Sequence, residues 1–250
     1  MTWVDTHCHL QLDGRSPGAL LERADHVGWL VVPGVDADSS VAARELARSH
    51  PDRLRWSAGL HPHDAEHWAV QSRQIMELAE AADAVGETGL DYYRNLSPRD
   101  RQREAFAAQI ELAHRLGKPL IVHCRDAFAD VHAMLADAGL GSAAVLHCWT
   151  GGPRWTRRFR DLGVTFSFAG PVAFETGETV RLGAAEVPPE SALVETDTPY
   201  LAPPPHRSEP NEPGWVSLVG AALAAVWGKD PLEVAALTSA RAAALFGDPR

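Results

Sequence analysis

Apolar residues in this chain come in two patterns. Short continuous runs alternate with longer segments whose apolar positions recur every three or four residues. The first pattern marks buried strands and the second amphipathic helices. Strands are predicted at residues 3–6, 29–32, 54–58, 84–87, 120–123, 144–147, 164–168 and 192–195. Helices are expected between them at 17–26, 39–49, 72–82, 127–138, 153–162 and 175–185, with two more at 214–227 and 231–246 after the last strand. A further helix opens at Ser97-Pro98, with Ser97 as N-cap and Pro98 in the first helical position, and ends at Gly117. Its Phe106, Ile110, Ala113 and Leu116 share one stripe.

Eight apolar strands separated by helices predict a closed parallel (β/α)8 barrel with extra C-terminal helices. An open doubly wound sheet is the alternative, but no Gly-x-Gly-x-x-Gly follows the first strand. No linker interrupts residues 1–250, so one domain is expected, with the Pro-rich stretch 199–213 a loop after the last strand.

Composition narrows the class. Hydrophobic content of 45% and charged content of 22% are those of a soluble globular protein. No apolar run is long enough to span a bilayer and the first residues have no basic, apolar leader, so a cytoplasmic protein is expected. A formal charge of −10 argues against a broad basic surface for duplex nucleic acid, though bound cations and a few arginines could still make a small positive site. Cys8, Cys124 and Cys148 form no Cys-x-x-Cys unit and are expected to be packing groups.

In such barrels the active site lies at the carboxyl ends of the strands. His7 and His9 end the first strand, His61 and His63 follow the third, Glu87 ends the fourth, His123 the fifth and His147 the sixth, while Asp197 lies two residues beyond the eighth. An isolated His-x-His also occurs as a pair of hydrogen-bonded core histidines. Imidazoles and carboxylates gathered at one barrel mouth, however, are poorly solvated and repel one another unless something positive joins them. Four imidazoles with Glu87 and Asp197 exceed one tetrahedral site and suit two divalent cations, Mg2+, Mn2+ or Zn2+. A bridging anion is then needed. The only lysines, Lys118 and Lys229, are not at strand ends and cannot supply a carbamate, which leaves Glu87.

Six stretches carry a resemblance: Asp5-Thr6-His7-Cys8-His9, Gly59-Leu60-His61-Pro62-His63, Gly86-Glu87-Thr88-Gly89-Leu90-Asp91-Tyr92, Pro119-Leu120-Ile121-Val122-His123-Cys124-Arg125, His147-Cys148-Trp149-Thr150-Gly151 and Glu195-Thr196-Asp197-Thr198-Pro199-Tyr200. In this order they resemble the signature motifs of TatD-type metal-dependent hydrolases, within the amidohydrolase superfamily. The resemblance implies a (β/α)8 fold and a divalent-metal nuclease that removes nucleotides from DNA 3′ ends. It implies one metal on His7, His9, Glu87 and Asp197 and another on Glu87, His123 and His147, with His61 and Glu195 outside the ligand shell or facing substrate. The family's Arg-Asn-Glu-Pro run is altered, because Pro210 precedes Asn211-Glu212-Pro213 and the nearest arginine is Arg207.

The expected mechanism uses a metal-activated water, with Asp197 as proton acceptor and Glu87 holding the ions. Arg125 could grip a phosphate or pair with Asp126 or Asp91. Tyr92, Trp149 and Tyr200 could stack on single-stranded bases or pack at the barrel rim. A 3′–5′ exodeoxyribonuclease on single-stranded DNA is the first expectation. A D-aminoacyl-tRNA deacylase or other ester hydrolase uses the same ligands, and a metal-binding barrel that docks a partner without turnover is the third.

Overall fold

The computed structural model describes residues 2–249. Its eight strands are β1 (Trp3–Asp5), β2 (Val27–Pro33), β3 (Leu54–Ala58), β4 (Ala84–Asp91), β5 (Leu120–Arg125), β6 (Ala144–Leu146), β7 (Thr165–Phe168) and β8 (Ala192–Val194). They pair in parallel and in sequence order. Between them run α1 (Pro17–Arg23), α2 (Ala37–Ser49), α3 (Trp68–Ala81), α4 (Arg99–Leu116), α5 (Phe128–Ala138), α6 (Pro153–Arg160) and α7 (Glu178–Ala184), followed by α8 (Val216–Trp227) and α9 (Pro231–Phe246). The predicted β/α alternation is therefore the observed one, and the sheet is a (β/α)8 barrel.

The barrel closes through its last turn. Thr6 N donates to Val194 O at 3.1 Å, Asp197 N to His7 O at 2.9 Å and His9 N to Thr198 O at 2.8 Å. The buried Asp5 carboxylate reinforces the seam, accepting from Thr196 N at 2.9 Å and Thr196 Oγ1 at 2.6 Å. Both residues of the His-x-His pair are thereby set against Asp197, nearly two hundred residues away. At the opposite end α9 packs on β1 and β8, and its Ala242 and Phe246 join Val4, Val31, Ile121 and Leu193 in one apolar cluster.

Several boundaries differ from expectation. β4 runs on to Asp91 and β5 to Arg125, because their ladder continues through Gly89↔His123 and Asp91↔Arg125. α3 begins at Trp68 after a 3-10 turn, Pro62–His67. Ser97 does not cap α4. Pro98 holds the N-cap place, and the Ser97 hydroxyl is drawn to the β3–α3 turn, donating to His63 O at 2.7 Å and accepting from Glu66 N at 3.3 Å. The predicted stripe survives: Phe106, Ile110 and Ala113 are buried.

Gly89 makes the close approach of β4 to β5 possible. It has φ 137°, and a β-carbon there would collide with the carbonyl oxygen of His123. Gly89→Ala is expected to cost about 1–3 kcal/mol from backbone strain alone, plus the displacement of His123. A urea unfolding curve with an unchanged midpoint would contradict this.

Candidate metal centre

Glu87 lies at the centre of the barrel mouth, with 3% of its surface exposed, and its two oxygens face different partners. Oε2 is 3.2 Å from His7 Nε2 and 3.7 Å from His9 Nε2. Oε1 is 3.1 Å from His123 Nδ1, 3.2 Å from His147 Nε2 and 3.3 Å from His61 Nε2. Asp197 Oδ1 completes the first group, 3.5 Å from His9 Nε2 and 3.9 Å from His7 Nε2. The structure thus brings together all six residues expected around metal. Among the described residues three overlapping groups of donor atoms are tight enough to hold an ion: His7 with His9 and Glu87, His7 with His147 and Asp197, and His61 with Glu87 and His123.

Donors about 2.0–2.2 Å from one cation lie about 3–3.6 Å from each other. The Nε2 atoms of His7 and His9 are 3.2 Å apart, which fits such an edge. Neither ring has a hydrogen-bond partner at Nδ1, so the polar contacts of both are concentrated on Nε2. The rings of His7 and His147 stack at 3.9 Å, linking the two groups.

Neighbours fix which nitrogen of each remaining ring can donate. His147 Nδ1 is 3.0 Å from Glu195 Oε1, so its proton belongs there and the Nε2 lone pair faces Glu87. His123 Nε2 is 3.1 Å from Asp91 Oδ2, which leaves the Nδ1 lone pair facing Glu87. Both contacts with Oε1 therefore set acceptor against acceptor. Only a proton or a cation reconciles them. The donor set fits divalent metal, which His7, His9, Glu87 and Asp197, and beside them His123 and His147, would hold.

The outer partners are themselves anchored. Glu195, expected outside the ligand shell or facing substrate, takes the first of these places: it is buried and bonded to His147, to Cys148 N at 2.6 Å and to the Ser167 hydroxyl, and so orients His147. Asp91 bonds His123, His63 Nε2 at 3.0 Å and the backbone of Tyr93 and Arg94. A fourth strand predicted to end at Glu87 gives no sign of Asp91, which the longer β4 carries into the site. Nor does a serine within an apolar run, such as Ser167, give any sign of its partner.

Titration follows this geometry. Burial pushes His147 down, but the Glu87 and Glu195 carboxylates outweigh it and hold its pKa well above 6.5. For His123, burial is likewise outweighed by hydrogen bonds to Asp91 and Glu87, and its pKa is raised. Burial also opposes ionisation of Glu87, but the surrounding imidazoles hold its pKa well below 4.5. A histidine whose folded pKa is raised contributes stability that is complete below 6.5 and lost as pH rises through the folded value. A cation binding at these nitrogens must displace whatever protons the raised pKa values retain there. Titration calorimetry in buffers of different ionisation enthalpy should show protons released on Mn2+ or Zn2+ binding, with apparent affinity rising with pH. Binding without proton release would contradict this assignment.

A cavity of about 430 Å3 opens over the cluster, and its lining includes His9, His61, His63, Arg94, Arg125 and Tyr200. A second lobe of about 310 Å3 continues past His123 and His147 to Thr150, Pro171 and Leu201. Asp197 and Leu201, both lining the cavity, have left-handed backbones with φ 59° and 57°, the kind of strain found at functional sites.

The other expected substrate contacts divide. Arg125 lines both lobes and pairs with neither Asp126 nor Asp91; its guanidinium lies 4.1 Å from the centre of the Tyr93 ring. Tyr200 is 56% exposed at the rim. Trp149 is corrected: it is buried among Phe128, Phe159 and Phe166, with Nε1 donating to Thr156 Oγ1 at 2.9 Å, and offers no face to a solute. Tyr92 faces α5, its hydroxyl donating to Asp130 at 2.6 Å, and does not line the cavity. Arg207 also lies outside it, over the Phe174 ring at 3.6 Å with a bond to Ala202 O. The loop that lacks an arginine before Asn211 is held from elsewhere. Arg15 reaches Glu212 Oε1 at 3.2 Å and Arg23 reaches Oε2 at 2.8 Å, while Asn211 Nδ2 donates to Thr196 O at 2.8 Å. Lys118 caps the carbonyls of Ala79, Glu80 and Ala82 at the end of α3 and takes no part in the site.

Comparison with known proteins agrees with this architecture. The family described as TatD related DNase matches residues 4–247. The metal-dependent hydrolase YcfH of Escherichia coli is 35% identical, covering 98% of this chain and 96% of that protein. The 3′-5′ ssDNA/RNA exonuclease TatD of a Rahnella strain is 37% identical, covering 91% and 90%. Among solved structures, the TatD homolog YjjV of Escherichia coli superposes with a TM-score of 0.93 at 29% identity, over 99% of this chain and 98% of that one. With a family match over nearly its whole length and a barrel of the same form, the chain belongs to the TatD-related DNase family of metal-dependent hydrolases.

Proposed function

We propose that the chain is a two-metal phosphodiesterase that removes nucleotides one at a time from the 3′ end of single-stranded DNA. The observation that carries the reading is the division of Glu87, one oxygen toward His7 and His9 and the other toward His123 and His147. A bound pair of divalent cations would supply a low-pKa water and withdraw charge from the phosphoryl oxygens. His7, His9, His123, His147, Glu87 and Asp197 are the residues that would hold it. Asp197 also lines the cavity and takes the proton of the attacking water. Burial works against its ionisation, but the hydrogen bond with His9 and the nearby imidazoles keep its pKa below 3.8, so at neutral pH it is an acceptor. As the water oxygen bonds to phosphorus, the P–O3′ bond breaks and the departing O3′ takes a proton from solvent, releasing a nucleoside 5′-monophosphate and a new 3′-hydroxyl. Arg125, which lines the cavity and has no carboxylate partner among the described residues, neutralises a nonbridging oxygen. Tyr200 supplies an exposed aromatic face for a base at the cavity rim. The names of two relatives, both 3′-5′ ssDNA/RNA exonucleases, support this substrate class.

The test incubates metal-stripped protein, reconstituted with Mg2+, Mn2+ or Zn2+, with 5′-labelled single-stranded DNA. A ladder shortened from the 3′ end is expected. Intact DNA alongside hydrolysis of an aminoacyl-tRNA ester would replace the nuclease with a deacylase.

A further inference from the structure

His61 differs from the other rings around Glu87. It follows β3 and is the N-cap of the 3-10 turn Pro62–His67, with its backbone N bonded to Val35 O at 2.8 Å. In that place its Nδ1 accepts the backbone N–H of His63 at 3.2 Å. A nitrogen that accepts a backbone N–H carries no proton, so the ring proton resides on Nε2. Nε2 is the atom 3.3 Å from Glu87 Oε1. This contact sets a donor within reach of an acceptor. The contacts of His123 and His147 with the same oxygen are the reverse, since Asp91 and Glu195 take their other N–H groups and leave lone pairs aimed at Oε1.

We propose that His61 is not a metal ligand, although its Nε2 lies with Glu87 and His123 in a group tight enough to hold an ion, but a fixed N–H donor that pins the carboxylate of Glu87. Its role is to hold Oε1 in the orientation that divides the two oxygens between the two donor groups. The ring is placed for this. It meets His63 edge-on at 4.2 Å and His123 at 4.6 Å between centroids, and so cannot swing away without displacing both. His61 is a positioning residue, and the inference rests on Glu87 bridging two ions.

Two measurements on the full-length protein test it, and neither needs a substrate. The first is long-range 1H–15N correlation spectroscopy of 15N-histidine-labelled protein, with and without Zn2+. His61 should show a protonated Nε2 and an unprotonated Nδ1 in both states, while His123 and His147 change on metal addition. Loss of the His61 Nε2 proton as Zn2+ binds would overturn the proposal. The second counts bound Mn2+ in wild type, His61→Ala and His61→Gln. Removing the donor should weaken Mn2+ binding by about 10–100-fold, and glutamine, whose amide N–H reaches about as far as Nε2, should recover most of that loss. Equal loss of one ion in both variants would make His61 a ligand and overturn the proposal. Fewer than two ions in the wild type would instead refute the two-metal reading, with the spectra still deciding where the His61 proton lies.

Discussion

Glu87→Gln should leave the protein with at most one bound ion and lower kcat/KM by at least about a thousandfold. Glutamine keeps the size of the side chain and removes its charge. Each Glu87 oxygen faces imidazole nitrogens, and an amide nitrogen placed on either side loses an acceptor there and adds N–H groups pointing at the ion. Two cations roughly 3.5–4 Å apart also repel each other strongly in a dry site unless an anion lies between them. The metal-free protein should suffer as well. Glu87 is the first of the two carboxylates that raise the His147 pKa, and without it the buried ring keeps only Glu195 as a counterion. The loss in melting temperature should therefore be full below pH 6.5 and shrink as pH rises through the folded pKa of His147, because the pairing contributes only while that ring is protonated. Two ions and near-normal turnover in Glu87→Gln would refute the bridge.

Asp197→Asn should act on kcat more than on ion number. His7, His9 and Glu87 still form a group able to hold a cation, so that ion binds more weakly but is retained at millimolar metal. The proton acceptor is gone, however, and general-base loss of this kind typically costs 10²–10⁴-fold. With metal saturating, kcat should fall by that factor and KM should change little. A fall in KM affinity alone, with kcat preserved, would assign Asp197 to substrate binding and remove it from proton transfer.

Much of this site could be read in the chain because barrel strands end where chemistry begins. His7, His123 and His147 each stand at or just past the end of a short apolar run, and the alternation of those runs with helices was enough to predict that they meet. The bridge could be singled out by elimination, since Lys118 is committed to the end of α3 and the only other lysine, Lys229, pairs with Glu233 on α9. What could not be read depended on partners distant in sequence. Trp149 looked like a rim aromatic from its place after β6, but its indole turns into the layer between barrel and helices. From sequence Glu195 is placed only outside the ligand shell or facing substrate and Asp91 only as a partner for Arg125, and the fold shows that each holds the far nitrogen of a histidine. Nor does a missing arginine before Asn211 suggest that Arg15 and Arg23, from the other end of the chain, grip Glu212 in its place.

The most direct test is a crystal soaked in Mn2+ and measured at the manganese absorption edge. Two anomalous peaks should flank the Glu87 carboxylate about 3.5–4 Å apart, one beside His7, His9 and Asp197 and the other beside His123 and His147. A single peak, or two peaks of which neither touches Glu87, would contradict the account.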